Sequence, residues 1–204
     1  MTEKILQIGA EAIIILDKNN VIKRRVKKSY RLPQIDDEIR KLRTRSEAKL
    51  LEKAGKITEV PQVKRVDEKS REISMEFLDG KRLSENLDSF PLEKQKKICK
   101  TIGKNIAKLH DADIIHGDLT TSNMILMEDK VFFIDFGLGF ISPKIEDKAV
   151  DLHLLRQALE AKHLKKWVLL FERVLQGYSS SKNSEAVIKQ FKKVESRGRY
   201  KSSY

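Results

Sequence analysis

A single cysteine, Cys99, leaves this chain of 204 residues with no possible internal disulfide. Cys99 also falls within a helical apolar pattern, which marks a small core residue rather than a reactive thiol. No stretch reaches the roughly 20 consecutive apolar residues that a membrane-spanning helix needs, and the N-terminus lacks the basic, apolar and small-residue layout of a secretory signal. These absences set the expectation of a cytoplasmic protein with no membrane partner. Internal repeats are missing, and the one biased tract is the linker Ser179 to Ser181. Apolar residues at 40% exclude a disordered chain and suffice for one packed domain, or one domain of two lobes.

Positive charge is abundant: 42 Lys and Arg stand against 30 Asp and Glu, a formal net charge of +12. The excess clusters at Lys23, Arg24, Arg25, Lys27, Lys28 and Arg31, and again at Arg40, Lys41, Arg43 and Arg45. Such a field attracts polyanions, so nucleic acid is the first partner to consider. A salt-bridged surface, or the charge content of a heat-tolerant protein, gives the same composition.

The hydrophobic pattern divides the chain. Strands are expected at Lys4 to Ile8, Ala12 to Leu16 and Val21 to Arg25, the last two joined by Asp17-Lys18-Asn19-Asn20. A helix capped by Asp36 then runs to about Ala54, with Ile39, Leu42, Leu50 and Leu51 as its apolar face and Gly55 as its stop. Strands near Pro61 to Val66 and Ile73 to Leu78 flank the turn Asp67 to Arg71. Beyond Gly80 the pattern turns helical, most clearly over Leu92 to His110, where Ile98, Ile102, Ile106 and Leu109 share a face. A hairpin at Met124 to Met127 and Val131 to Ile134 follows. Further helices are expected at 147–162, 165–176 and 184–194. The predicted fold is therefore α+β with two lobes: a small antiparallel sheet plus one helix over residues 1–79, and a mainly helical lobe over 80–195. Residues 196–204 have no apolar period and read as a flexible basic tail.

The strongest chemical signal is His116-Gly117-Asp118-Leu119-Thr120-Thr121-Ser122-Asn123, followed past one hairpin by Asp135-Phe136-Gly137. Phosphoryl transfer needs a carboxylate beside the attacking hydroxyl, and a carboxylate with an amide oxygen to hold magnesium on the phosphates. Asp118 fits the first role, and Asn123 with Asp135 the second. Upstream, Lys23 ends a strand where it can reach the phosphates of ATP. Glu47 is placed mid-helix to pair with Lys23, although Arg43 one turn away is an alternative partner. The strand Ile73 to Leu78 leads into the lobe connector, where edge groups of Glu76 and Leu78 are free to read adenine. Val21 above, Ile125 below and Met75 behind would enclose the base. The phosphate cover lacks the three glycines of ordinary kinases and offers only Gly9-Ala10-Glu11-Ala12. Glu11 is expected to face the pocket or the neighbouring helix, and Ile8 and Ile14 flank the turn as further nucleotide contacts.

Gly9-Ala10-Glu11-Ala12, Lys23 with its basic run to Arg31, Arg45-Ser46-Glu47-Ala48, the His116 to Asn123 loop and Arg197-Gly198-Arg199-Tyr200 together resemble one family. It is the small atypical kinase subunit of the KEOPS complex, the Bud-thirty-two type, related to the Rio kinases. The resemblance implies a two-lobed kinase fold using ATP and magnesium, with serine/threonine autophosphorylation or ATPase activity. It implies partnership with the tRNA threonylcarbamoyltransferase subunit and other KEOPS subunits, with tRNA reached through the complex. The tail, with Arg197, Arg199, Lys201, Tyr200 and Tyr204, would then suit RNA lying across the cleft.

Departures from ordinary kinases carry information. Gly117 stands where an arginine would bind a phosphorylated activation loop, and no Ala-Pro-Glu follows the short segment Leu138 to Glu146. Ser142 in that segment is expected to be dispensable. Asp151 matches the buried aspartate that supports the catalytic loop in kinases. A small-molecule phosphotransferase of the aminoglycoside or choline type shares the His-Gly-Asp pattern but needs an acceptor pocket for which few residues remain. A nucleotide-binding scaffold is the other alternative.

Overall fold

Short apolar runs punctuated by tight turns build the first lobe. In the computed structural model, which describes residues 4–199, strands β1 (Lys4–Ile8), β2 (Ala12–Asp17) and β3 (Asn20–Arg25) form an antiparallel meander. Asp17 pairs with Asn20 across a two-residue turn in which Lys18 takes a left-handed conformation (φ 54°). Helix α1 (Pro33–Ala54) follows. Strands β4 (Val63–Asp67) and β5 (Glu72–Glu76) then complete a five-stranded sheet of order β1-β2-β3-β5-β4.

Helix α1 begins one turn earlier than Asp36 marks. Pro33 occupies the first turn, where its missing N–H leaves nothing unsatisfied. Asp36 is not the cap. It is buried and accepts from Arg40 Nε at 2.7 Å, with Arg31 at 3.5 Å. Burial alone would raise its pKa, but the hydrogen bond and charge of Arg40 outweigh that and hold the carboxyl below its ordinary value. The buried face differs in part from expectation: Leu50 and Leu51 are buried, but Leu42 is exposed, and Thr44, Glu47, Ala48 and Ala54 turn inward as well. Gly55 ends the helix in a right-handed conformation (φ −64°).

The second lobe opens with β6 (Lys81–Arg82), α2 (Leu83–Asn86) and a 3-10 turn at Leu87–Ser89. The long helix α3 (Leu92–Asp111) leads to β7 (Ile114–Ile115), a 3-10 turn at Thr121–Asn123, and the hairpin β8 (Met124–Met127) and β9 (Lys130–Phe133). Strand β10 (Phe140–Ile141) pairs back onto β7, and β6 pairs with β8. Helices α4 (Ile145–Lys162), α5 (Trp167–Tyr178) and α6 (Ser184–Arg199) close the lobe. Gly103 and Gly177 let α3 and α5 cross backbone to backbone. A Cβ at Gly103 would come within 1.9 Å of the Val174 carbonyl, and one at Gly177 within 2.0 Å of the Lys100 carbonyl.

Helix α6 runs to Arg199, so Ser196–Arg199 are helical rather than the start of a tail. Tyr200, Lys201 and Tyr204 lie outside the described residues. Arg197 donates to Glu146 of α4 at 2.7 Å. One apolar core runs through both lobes, from Ala48, Leu51 and Met75 to Ile102, Leu155 and Val174, and among the described residues no helix is long and apolar enough to cross a membrane.

Candidate active site

A cavity of about 740 Å3 separates the lobes, within the range of small-molecule sites. Lys23 is its centre. Strand β3 places the ammonium in a buried position 2.6 Å from Glu47 Oε1 and 2.7 Å from Asp135 Oδ1. Burial alone would lower the Lys23 pKa, but the charges of Glu47 and Asp135 outweigh it and hold the group above its ordinary value. Asp135 mirrors this: burial would raise its pKa, yet Lys23 keeps the carboxyl below the usual carboxylate range. Asp135 also takes a left-handed conformation (φ 64°), sparsely populated by non-glycine residues, and its Oδ1 accepts the Gly137 N–H at 3.1 Å.

Glu47 settles its choice of partner through Arg25. Its second oxygen accepts from Arg25 Nη2 at 2.5 Å, while Arg43 reaches across to Glu11 at 2.9 Å. Arg25 was not among the residues expected here, although it lies two positions beyond Lys23 and so shares its face of the strand. Glu11 lines the cavity and is tied to α1, combining both placements expected for it. The turn that carries it is closed by the Gly9 N–H donating to the Ala12 carbonyl at 2.9 Å and by Lys28, which hydrogen-bonds the Ala10 carbonyl.

Asp118 and Asn123 face each other across one loop. Asn123 Nδ2 donates to Asp118 Oδ2 at 2.8 Å and to the Asp118 carbonyl at 3.0 Å. Asn123 Oδ1, Asp118 Oδ1 and Asp135 Oδ2 accept no hydrogen bond among the described residues. Three oxygens are thus left for a ligand.

The loop is held from beneath. Asp151, fully buried in α4, accepts the backbone N–H groups of His116 and Gly117, each at 2.9 Å. Its Oδ2 also meets His110 Nε2 at 3.2 Å, and His110 Nδ1 meets the Tyr178 hydroxyl at 2.9 Å. His116 Nε2 donates to the Ile134 carbonyl at 3.1 Å, and Nδ1 accepts the Asp118 N–H at 3.3 Å. Burial pushes the His116 pKa down, so the ring is the neutral tautomer that makes both bonds. Gly117 has φ +79°, and a Cβ there would fall 2.3 Å from the Leu138 carbonyl. The backbone after Gly137 fills the space where an arginine would stand.

At the connector, the Glu76 N–H is already spent on the Gln62 carbonyl at 2.9 Å. Only its carbonyl remains, a correction to the expectation of free edge groups there. The Leu78 N–H has no partner among the described residues although Leu78 is buried. Leu78 itself lines the cavity.

Gly9, Ala10, Ala12, Ile14, Val21, Met75 and Ile125 all line the cavity. Ile8 does not, and is 72% exposed. The register of β1 slips between Ile5 and Gln7, so Gln7 pairs with Ile14 and Ile8 with Ile13. Paired residues share a face of the sheet, which turns Gln7 toward the cavity with Ile14 and sends Ile8 away from it. Leu6 and Gln7 line the cavity instead. A bulge leaves no mark in hydrophobic alternation.

A sheet-roofed cleft over a supported His-Gly-Asp loop is the architecture of the protein-kinase-like class. The RIO domain family model matches residues 11–141. The chain belongs to the RIO domain family and, within it, to the family of the KEOPS complex subunit Bud32. The subunit of that name from Pyrococcus abyssi is 43% identical over 97% of this chain and 96% of its own length. A "probable serine/threonine-protein kinase BUD32 homolog" from Archaeoglobus fulgidus is 36% identical over 95% of this chain and 94% of its own. A "probable bifunctional tRNA threonylcarbamoyladenosine biosynthesis protein" from Methanobrevibacter smithii is 44% identical over 98% of this chain, which spans only 37% of that relative. Among solved structures, a streptomycin–ATP–APH(2")-IIa ternary complex superposes with a TM-score of 0.62 at 13% identity, over 94% of this chain and 81% of that one. That likeness concerns the fold alone.

Proposed function

We propose that the cleft binds ATP with magnesium and transfers or hydrolyses its terminal phosphate, making the chain an atypical serine/threonine kinase or ATPase. The observation that carries this reading is the Lys23 ammonium held between Glu47 and Asp135 beside the Asp118–Asn123 pair. Lys23, fixed and charged, would bind the phosphates of the nucleotide. Glu47, itself neutralised by Arg25, keeps that ammonium aimed. The Leu78 N–H and Glu76 carbonyl would meet the edge of adenine. Asp118 Oδ1 would take the proton of the attacking hydroxyl, with Asn123 fixing the other oxygen.

The residues fit magnesium. Among the described residues no group of three or more His, Cys, Asp or Glu could enclose a metal. Magnesium, however, is usually held by one or two protein oxygens together with substrate phosphates. Asp135 Oδ2 and Asn123 Oδ1 are the two that remain, and a cation bound there would offset charge on the phosphates. Catalysis by this chain is then positioning and electrostatics.

By the names of its relatives, we place the chain in a KEOPS-type assembly. Its partners there would be the tRNA threonylcarbamoyltransferase subunit and other KEOPS subunits, with tRNA reached through the complex. The test is ATP turnover by the purified protein alone, with tRNA and with the threonylcarbamoyl-transferring subunit. Stimulation by that subunit is expected. Asp118→Asn should cut turnover about 10²–10⁴-fold, as loss of a positioned base does, while nucleotide still binds. Turnover within a few-fold of wild type would remove Asp118 from the chemistry.

A further inference from the structure

Away from the cleft, the exposed face of α3 has an unusual composition. Beyond Glu93, every exposed residue of this helix is a lysine: Lys97, Lys100, Lys104 and Lys108. The only acidic residues of α3 are Glu93 and Asp111, at its two ends. Lys94 and Lys96 find carboxylates, at Asp129 and Glu93 respectively, but the four stripe lysines form no ion pair among the described residues. Like charges three and four residues apart weaken a helix. Glutamates interleaved at this spacing would have solvated the face equally well and stabilised it. The stripe therefore costs the fold something and brings no internal contact in return.

The stripe runs into a cavity. One turn before Lys97, Lys94 borders a groove of about 610 Å3 whose apolar walls include Phe90, Leu126 and Met127. Lys81 and Lys94 hold their ammonium groups 5.5 and 5.2 Å from the centroid of the Phe90 ring. Asp79, Glu128 and Asp129, the last paired with Lys94 at 3.0 Å, complete the rim as hydrogen-bond acceptors that would repel a phosphate but suit the amino group of a base. An aromatic platform beside a row of cations is the arrangement that binds single-stranded nucleic acid, where the cations follow the backbone and the ring receives a base. From Lys97 to Lys108 the row is about 16 Å long, at 1.5 Å per helical residue.

We infer that the back of the second lobe is a binding site for unpaired RNA, with one base lodged against Phe90 and the adjoining phosphates laid along Lys97, Lys100, Lys104 and Lys108. The site uses none of the residues of the ATP cleft. Its test therefore stands or falls independently of phosphoryl transfer.

The measurement is fluorescence anisotropy of a labelled, unstructured 12-nucleotide RNA titrated with the full chain over a series of salt concentrations. The variant K97Q/K100Q/K104Q/K108Q should lower the log-log salt slope by about 3, since each lost phosphate contact removes roughly 0.7–0.9. Its melting temperature should not fall, because like-charge repulsion is relieved. The control K49Q/K53Q/K56Q/K69Q removes the same charge from exposed positions elsewhere and should change the slope by less than about 1. Phe90→Leu keeps the apolar volume but not the aromatic face. It should weaken binding at least about five-fold at fixed salt, the lower end of what stacking contributes, with an unchanged slope. A stripe variant with the wild-type slope would overturn the assignment, as would a control that lowers it equally. An acidic peptide bound with the same slope and no dependence on Phe90 would make the stripe a protein-docking surface and overturn the RNA site.

Discussion

Asp135 and His116 show how single residues in this cleft are tuned by what surrounds them. Asp135 Oδ1 is committed to Lys23 and Gly137, while Oδ2, with no partner among the described residues, is the oxygen proposed to hold magnesium. Asp135→Ala should therefore weaken ATP binding more in magnesium than in chelator, and titration calorimetry under both conditions measures the difference. Equal losses would show that the carboxylate acts only through Lys23. His116 is neutral because it is buried. Its folded pKa lies below its unfolded value near 6.5, so the unfolded chain binds the extra proton first. The stability tied to its neutral form is fully present above about pH 6.5 and is lost as pH falls from there through the folded pKa. Thermal melts from pH 8 to pH 5 should show an acid-side decline that flattens in His116→Gln. An identical slope in the variant would place the sensitivity elsewhere.

At the level of elements, the segment between Gly137 and α4 is a built structure that includes Ser142, the residue expected to be dispensable. Ser142 is buried, its hydroxyl donates to Asp147 Oδ2 at 2.5 Å and accepts the Lys144 N–H at 3.2 Å, and its own N–H reaches the Asp113 carbonyl at 2.8 Å. It therefore fastens the entry of α4, the helix that carries Asp151. Ser142→Ala should destabilise the protein by about 0.5–2 kcal/mol, the range for removing a helix-start hydroxyl, read as a lower denaturant midpoint at constant m-value. No change in midpoint would leave Ser142 dispensable, as the sequence suggests. The elements themselves were largely legible: β1 and β8 fall at the residues the pattern marks, and α3 differs by one. Periodicity reports burial, and these elements bury one face. Two-residue pairings such as β7 with β10 are too short to carry a period. The start of α1 was misplaced because Asp36 is a cap by type yet an ion-pair partner by position.

The same division holds for the site. Asp118, Asn123 and Asp135 were legible because their spacing carries the geometry. Ile8 was misplaced because a register slip inverts a face without changing composition. Arg25 was missed because its role depends on Glu47, which arrives from another element. His110 and Tyr178, which brace Asp151, are brought together only by the crossing of α3 and α5.

Across the whole molecule, α6 connects the C-terminal region to the His116–Asn123 loop through α4. Its hold is apolar: Val187 and Phe191 are buried, and Phe191 lies 5.3 Å from Phe171 of α5, ring to ring. The last turn contributes the Arg197–Glu146 pair, whose partners are 66% and 40% exposed, and such a surface pair contributes about 0–1 kcal/mol. Glu195, which pairs with Arg156 at 2.9 Å, lies before that turn. Deleting residues 196–204 should therefore cost at most about 1 kcal/mol, a fall of roughly 2–4 °C in Tm for a chain of this size, and leave basal ATP turnover unchanged. Phe191→Ala should cost about 3–5 kcal/mol, as the loss of a buried phenyl ring does. Because α4 would lose its support, the variant should also lose ATP turnover at temperatures well below its melting point. Calorimetry and turnover measured on both proteins separate the two contributions. Equal falls in Tm would mean that the last turn, and not the Phe171–Phe191 contact, holds α6 against the lobe.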